Sequence, residues 1–474
     1  MKAMIAWLAG VACVVAASMA QTAPPAKPNF VVINIDDLGY ADIGPFGSKI
    51  NRTPNLDRMA VEGRMLTSFY AAPVCSPSRA SLMTGCYPKR VLPIKHVLFP
   101  GYATGLDPSE TTVAEVLKQV GYATAIIGKW HLGDQPAFLP TRQGFDYWFG
   151  LPYSNDMGPV EDGVKTSLGQ PIPKRRRKGR GQPPLPLLRN ETVLKRVLPE
   201  DQQRLVEWYT EEAVKFIREH RDGPFFLYLA HNAVHFPIYP GKRFQGRSPH
   251  GYYSDWVEEV DWSVGQVLDA VRRLGLAKKT LVLFTSDNGG TRRAVNAPLR
   301  GFKGSTWEGG VRVPTIAWWP GQVPAGTRTD VICGMFDVLP TFARLAGAPL
   351  PKRRLDGKDI WPVLAGKPNA AGHETFYYYR GLKLEAVRSG PWKLRLVQGP
   401  QLYNLKDDIG ERRNVASDHP EVVRRLQQLA QRMDGDLGLN GLGPGVRRLG
   451  RVDNPQPLIG FDGRVRPGFE PKSP

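Results

Sequence analysis

Four short apolar runs constrain the fold of this chain more than any other feature: FVVINI at 30–35, ATAII at 123–127, FFLYLA at 225–230 and LVLFT at 281–285. None alternates polar with apolar, so each reads as a strand buried on both faces, and the stretches between them carry amphipathic helical patterns. Strands linked in this way through helices form a mostly parallel sheet. The predicted fold class is therefore α/β, a large, mostly parallel sheet sandwiched by helices. Each run also ends in polar residues: Asp36 and Asp37, then Lys129 and His131, then His231 and His235, then Asp287 and Asn288. Ligands of open α/β sheets bind outside the carboxyl ends of the strands, which predicts that these side chains converge on one site.

Beyond about residue 370 the pattern changes. Short segments at 375–379, 385–387, 393–397 and 401–405, followed by a helix over 420–433, predict a smaller C-terminal antiparallel sheet with a helix packed on it. With 474 residues, 42% of them hydrophobic, the chain is long enough for one large and one small domain, placed at 28–370 and 371–434. The Gly-, Pro- and Arg-rich tail 435–474 reads as a surface arm or a partly disordered segment.

At the other end, Lys2, an apolar run over 5–17 and the small residues Ser18 and Ala20 have the form of a signal peptide at 1–20. The run is too short to span a bilayer and is followed by Pro24, Pro25 and Pro28, so no transmembrane anchor is expected. The protein is expected to be exported, to the periplasm or the extracellular space, or to lysosomal and secretory compartments in a eukaryote. Removing the leader leaves Cys75, Cys86 and Cys333, an odd number in an oxidising compartment. Conversion of Cys75 would resolve the odd count, while Cys86 and Cys333 could pair or stay free. No spacing resembles a zinc or iron–sulfur site.

A formal charge of +19 favours an anionic partner. Much of the excess lies in Lys174, Arg175, Arg176, Arg177, Lys178 and Arg180, within a Pro- and Gly-rich stretch that reads as a solvated loop. No aromatic residues interleave with that run, so nucleic acid is not the expected partner.

The string CSPSRA at 75–80 continues to Thr84 and Gly85. It predicts Ser76 as N-cap, Pro77 as the first helical residue and Gly85 as the stop, leaving Cys75 just before a helix N-terminus. Free amides there favour an anion, and Arg79, one turn in, carries a guanidinium suited to sulfate or phosphate. Asp36, Asp37, Asp287 and Asn288 supply hard oxygen ligands from two strand ends, which suits Ca²⁺ better than a soft metal.

CSPSRA resembles the type I sulfatase signature, in which the cysteine is oxidised to formylglycine. INIDDLGY at 33–40, GKWHLG at 128–133, AVHFP at 233–237, SDNGG at 286–290 and GFKGSTWEGG at 301–310 resemble the same family in the same order, and FLPTRQGFDYWFGLPYSNDM at 138–157 resembles its arylsulfatase A-like branch. The resemblance covers roughly 28–415 and implies the alkaline phosphatase/sulfatase-like fold and a sulfuric ester hydrolase. It implies Asp36, Asp37, Asp287, Asn288 and the converted Cys75 as calcium ligands, and a formylglycine-generating enzyme as partner during maturation.

By the same resemblance, a hydrated aldehyde at Cys75 attacks sulfur, Arg79, Lys129 and Lys303 bind the sulfate oxygens, His235 with Lys303 protonates the leaving alcohol, and His131 serves as the base that expels sulfate. His231 competes with His235, whose spacing to Pro237 matches the family's histidine. The substrate expected in nature is a sulfated glycan, with aryl sulfates as surrogates. Two other classes fit parts of the pattern: a metal-dependent phosphate mono- or diester hydrolase of the same architecture, and a non-catalytic binder of sulfated polyanions.

Overall fold

Every residue of the strand Asn29–Ile35 is buried, with Phe30 and Val32 facing one apolar cluster and Val31, Ile33 and Ile35 facing another. Two apolar layers on opposite faces are what an uninterrupted run demands, and this strand lies within the main sheet. The computed structural model describes residues 27–173 and 181–471. Segment 1–20, expected from sequence to be a signal peptide, and the basic run 174–180 lie outside the described residues.

The main sheet has eleven strands: β1 (Asn29–Ile35), β2 (Arg64–Tyr70), β3 (Ala123–Gly128), β4 (Tyr147–Gly150), β5 (Pro186–Arg189), β6 (Thr192–Arg196), β7 (Phe225–Ala230), β8 (Thr280–Ser286), β9 (Arg312–Trp318), β10 (Thr327–Thr329) and β11 (Cys333–Gly334). Its order is β10-β2-β9-β8-β1-β7-β3-β4-β5-β6, with β11 paired to β2. The strands β8, β1, β7, β3 and β4 run parallel to one another, and they include all four runs named from sequence. Strand β9 joins antiparallel on one side and β5 on the other.

Helices α1 (Cys75–Thr84), α2 (Leu205–Glu219), α3 (Tyr252–Arg273) and α4 (Val338–Ala346) cover both faces, α1 and α4 contributing to one apolar cluster and α2 and α3 to the other. The chain then forms a four-stranded antiparallel sheet, β12 (Thr375–Arg380), β13 (Lys383–Ser389), β14 (Trp392–Arg395) and β15 (Gln401–Asn404), against which α5 (Pro420–Arg432) packs through Leu426 and Ala430.

Two local expectations are corrected. Helix α1 begins at Cys75 itself, with Val74 in the cap position, because Ser76 Oγ does not cap the helix but accepts from Leu98 N at 3.2 Å. Gly85, at φ 70°, ends it as the sequence requires. The described part of the tail is packed rather than a free arm: Leu437, Leu458, Ile459 and Phe469 are buried, and Gly450–Arg451 pairs with Thr104–Gly105. Apolar residues too sparse to give a period still find places on the large domain. No helix among the described residues is long and apolar enough to cross a membrane.

Candidate active site

Strand register assembles the site. Asn34 sits opposite Ala230 and Ile35 opposite Ser286, while Gly128 is also opposite Ala230, so the ends of β1, β3, β7 and β8 lie level. The backbone continues the match past the strands: Asp287 N donates to Ile35 O at 2.9 Å, Asp36 N to Ala233 O at 2.9 Å and Lys129 N to Ala230 O at 2.8 Å. Gly128 permits the last of these at φ 114°, since a Cβ there would lie 1.9 Å from Ala230 O. Asp37 and His131, both non-glycine, also take left-handed backbone, at φ 64° and 66°.

Asp36, Asp37, Asp287 and Asn288 are buried beside three cations. Lys129 Nζ lies 2.5 Å from Asp36 Oδ2, Lys303 Nζ 2.6 Å from Asp37 Oδ1, and Arg79 Nε and Nη2 donate to Asp287 Oδ2 at 2.9 and 2.8 Å. Burial alone would raise the Asp36 carboxyl, but Lys129, His235, Arg79 and Lys303 outweigh it and hold that group well below the usual range. Arg79 Nη1 donates to Lys129 O at 2.5 Å. The guanidinium therefore sits beneath the carboxylates and fixes Asp287 and the Lys129 backbone.

Cys75 Sγ lies 3.7 Å from Asp36 Oδ1. Burial pushes its thiol up to about 12, with Asp36 and Asp287 adding to the rise and Lys129 and Lys303 opposing it. A thiol that stays protonated at neutral pH is a poor nucleophile. Cys86 and Cys333 are separate, buried and free.

The two histidines that competed in the sequence part here. His231 is fully buried with Nε2 3.0 Å from Ser263 Oγ, and burial takes it down to about 3. His235 reaches the carboxylates, with Nε2 3.7 Å from Asp37 Oδ2 and 12% of its side chain exposed. His131 Nε2 lies 3.0 Å from Leu98 O, a partner that can only accept, so this nitrogen carries the proton. Its Nδ1 is buried without a hydrogen-bond partner among the described residues, and burial together with Lys129 and Arg79 holds the ring neutral.

The sulfatase family model matches residues 28–348, and the model for the C-terminal part of N-sulphoglucosamine sulphohydrolase matches residues 303–436. The chain belongs to the sulfatase family. This sulfatase is 39% identical to arylsulfatase A of Homo sapiens over 458 residues, covering 87% of this chain and 88% of that protein. It is 38% identical to N-acetylgalactosamine-6-sulfatase of Rattus norvegicus over 512 residues, covering 91% and 92%. The crystal structure of Ps i-CgsB in complex with k-i-k-neocarrahexaose resembles it with a TM-score of 0.74 at 32% identity, covering 86% of this chain and 92% of that one. The sulfatase is thus a sulfuric ester hydrolase of the alkaline-phosphatase-like fold, with large parallel and small antiparallel sheets as the sequence implied.

The donor set of this sulfatase fits a hard cation. One ligand atom each from Asp36, Asp37, Cys75 and His235 lies within 4.8 Å of the others. Asn288 Oδ1 is buried with no hydrogen-bond partner among the described residues, although its Nδ2 donates to Asp37 Oδ1 at 2.7 Å. An oxygen left bare beside clustered carboxylates is what an oxygen-liganded divalent ion needs.

Sequence reasoning missed Ser154, which accepts from Lys129 Nζ at 3.3 Å and lies 3.2 and 3.4 Å from the His235 ring nitrogens. It missed Asp156 as well, where burial raises the carboxyl but His235 and Lys165 outweigh it. Both lie within the 138–157 stretch that carried family resemblance, yet no residue type marked them out. The loop at 93–107 likewise puts His96 near Lys303, which holds it down in addition to burial.

Proposed function

We propose that this sulfatase cleaves sulfate monoesters through formylglycine made from Cys75 and a calcium ion held by Asp36, Asp37, Asp287, Asn288 and the converted Cys75. The observation that carries this reading is the setting of Cys75: the first residue of α1, buried, 3.7 Å from Asp36 Oδ1, its thiol pushed up to about 12. Unmodified, that thiol is inert, whereas formylglycine supplies an oxygen nucleophile that can be regenerated in place and calcium supplies charge against the sulfuryl oxygens.

The chain's own groups divide the remaining work. Arg79 and Lys129, fully buried and bonded to Asp287 and Asp36, orient those carboxylates and add positive charge where sulfate would sit. Lys303 and His235, 18% and 12% exposed, face the open side and meet the leaving oxygen, His235 delivering the proton. His131, neutral and with a bare Nδ1, takes the proton whose removal expels sulfate.

The natural substrate in this reading is a sulfated carbohydrate. Its support is the charge of +19 and the resemblance to a protein whose structure was solved with a neocarrahexaose. Export, with maturation by a formylglycine-generating enzyme, completes the reading and rests on segment 1–20 and the CSPSRA string.

The test is to make wild type and Cys75→Ala in a host that carries the modifying enzyme and to assay a chromogenic aryl sulfate beside the matching aryl phosphate. Turnover of the sulfate by wild type alone, with the Cys75 peptide lighter by exchange of its thiol for an aldehyde, is the expected result. Active enzyme with unmodified Cys75 overturns the mechanism, and preferred turnover of the phosphate overturns the substrate class.

A further inference from the structure

Apart from the catalytic cluster, five guanidiniums line one groove, those of Arg90, Arg353, Arg354, Arg447 and Arg448, together with Asp436. None belongs to the site around Cys75. Arg90 is buried and forks onto both Asp356, at 2.8 and 2.7 Å, and Asp436, at 2.8 Å to each oxygen, so it forms the floor. The tail supplies one wall, with Arg447 N donating to Arg90 O at 2.7 Å.

The outer arginines are held by one edge only. Arg354 Nη1 lies 3.1 Å from Asp436 and Arg448 Nε 2.9 Å from Asp107, while their side chains remain 67% and 81% exposed. Arg353 and Arg447 share Glu110, at 2.9 and 2.6 Å. Arg447 also donates to Arg354 O and is largely buried, but in Arg353, Arg354 and Arg448 a carboxylate behind the guanidinium fixes its plane and leaves outer N–H groups toward solvent, in the fork geometry that suits sulfate and carboxylate oxygens.

We propose that this groove is a docking site for a sulfated glycan chain, separate from the catalytic centre, which holds a polymeric substrate while one ester is cleaved. This rests on the sulfated-carbohydrate reading above. Single-stranded nucleic acid is the disfavoured occupant, because among the described residues no aromatic ring lines the groove to stack a base; duplex DNA, gripped through its phosphates, is the rival that the experiment excludes.

The experiment compares wild type with Arg354→Ala/Arg448→Ala. Both residues are surface arginines, and their carboxylates keep other partners in Arg90 and Ser109. Heparin, fully desulfated heparin and duplex DNA serve as probes, titrated across a salt series, with aryl sulfate turnover and melting temperature measured alongside. The expected variant binds heparin roughly tenfold more weakly at about 0.1 M salt, with the slope of log affinity against log salt reduced by about 2, near one per charge removed. Desulfated heparin should bind neither protein well, and aryl sulfate turnover and melting should be unchanged. Unaltered heparin affinity and slope overturn the proposal. DNA binding as tight as heparin's, and equally sensitive to the substitutions, overturns the glycan assignment. Aryl sulfate turnover in wild type separately reports whether the catalytic reading has failed.

Discussion

Lys393 Nζ, on β14 of the small sheet, lies 2.9 Å from Oε1 of Glu308, the first residue of the short helix Glu308–Val311, and both side chains are fully buried. Glu411 joins at 2.8 Å, Thr306 O accepts from Lys393 at 2.8 Å, and Tyr378 and Tyr70 donate to Glu308 at 2.8 and 2.6 Å. Tyr70 ends β2, five residues before Cys75. The two sheets are therefore joined through an ionic network beneath the catalytic loops.

Truncating that lysine removes the cation that two buried carboxylates share, and breaking a buried pair typically costs about 3–5 kcal/mol. Lys393→Met should lower stability by that order in denaturant titration. A loss under about 1 kcal/mol would mean that the neighbouring Arg312 and Arg388 suffice to neutralise Glu308.

His235 and Lys303 should separate kinetically. If His235 protonates the leaving alcohol, His235→Ala lowers kcat by about 10²–10⁴ on an alkyl or sugar sulfate and much less on a nitrophenyl sulfate, whose leaving group needs no proton. Lys303→Ala, removing charge from the sulfuryl group as well, should cost about 10²–10³ on both. An equal penalty for His235→Ala on both substrates would remove it from the acid role.

Calcium binding should be visible without any assay of activity. Dialysis against a calcium chelator is expected to lower the melting temperature by removing a ligand of the folded state, and calcium should restore it better than magnesium, which demands a tighter octahedral shell. A melting curve indifferent to chelator and to both ions would exclude the ion site as drawn.

Stability should also fall with rising pH through a residue far from the chemistry. Glu259 Oε2 accepts from Gly241 N at 2.7 Å, and burial, with Glu207 adding to it, pushes its carboxyl up to about 8. The unfolded group titrates near 4.3. Because the folded value is the higher one, its contribution is complete below about pH 4 and is lost as pH rises through about 8. Glu259→Gln should therefore gain on wild type between those limits, by at most about 5 kcal/mol, in thermal melts across the range. Parallel curves for the two proteins would rule this out.

Much of the frame was legible from residue order alone. Runs such as FVVINI and FFLYLA carry no polar alternation, so burial on both faces was the one satisfactory solution, and the structure places strands there. Gly85 as a helix stop and Cys75 at a helix start followed from local backbone chemistry, which neighbouring residues decide. The cap itself was misplaced by two residues because Ser76 Oγ is claimed by Leu98 N, a partner no local pattern reveals.

What the tertiary structure decided is pairing across long separations. Asn288 and Asp37 meet from 251 positions apart because β8 and β1 are neighbours in register. Arg79, legible as an anion binder, spends its donors on Asp287 and Lys129 O, and Ser154 becomes a partner of both Lys129 and His235. Of the two competing histidines, His235 is the one the chain turns toward Asp37, while His231 turns to Ser263. The physical reason is common to all of these: local sequence sets which backbone states and burial patterns are affordable, whereas the strength of a charge pair or hydrogen bond depends on desolvation and distance, which exist only once distant strands are side by side.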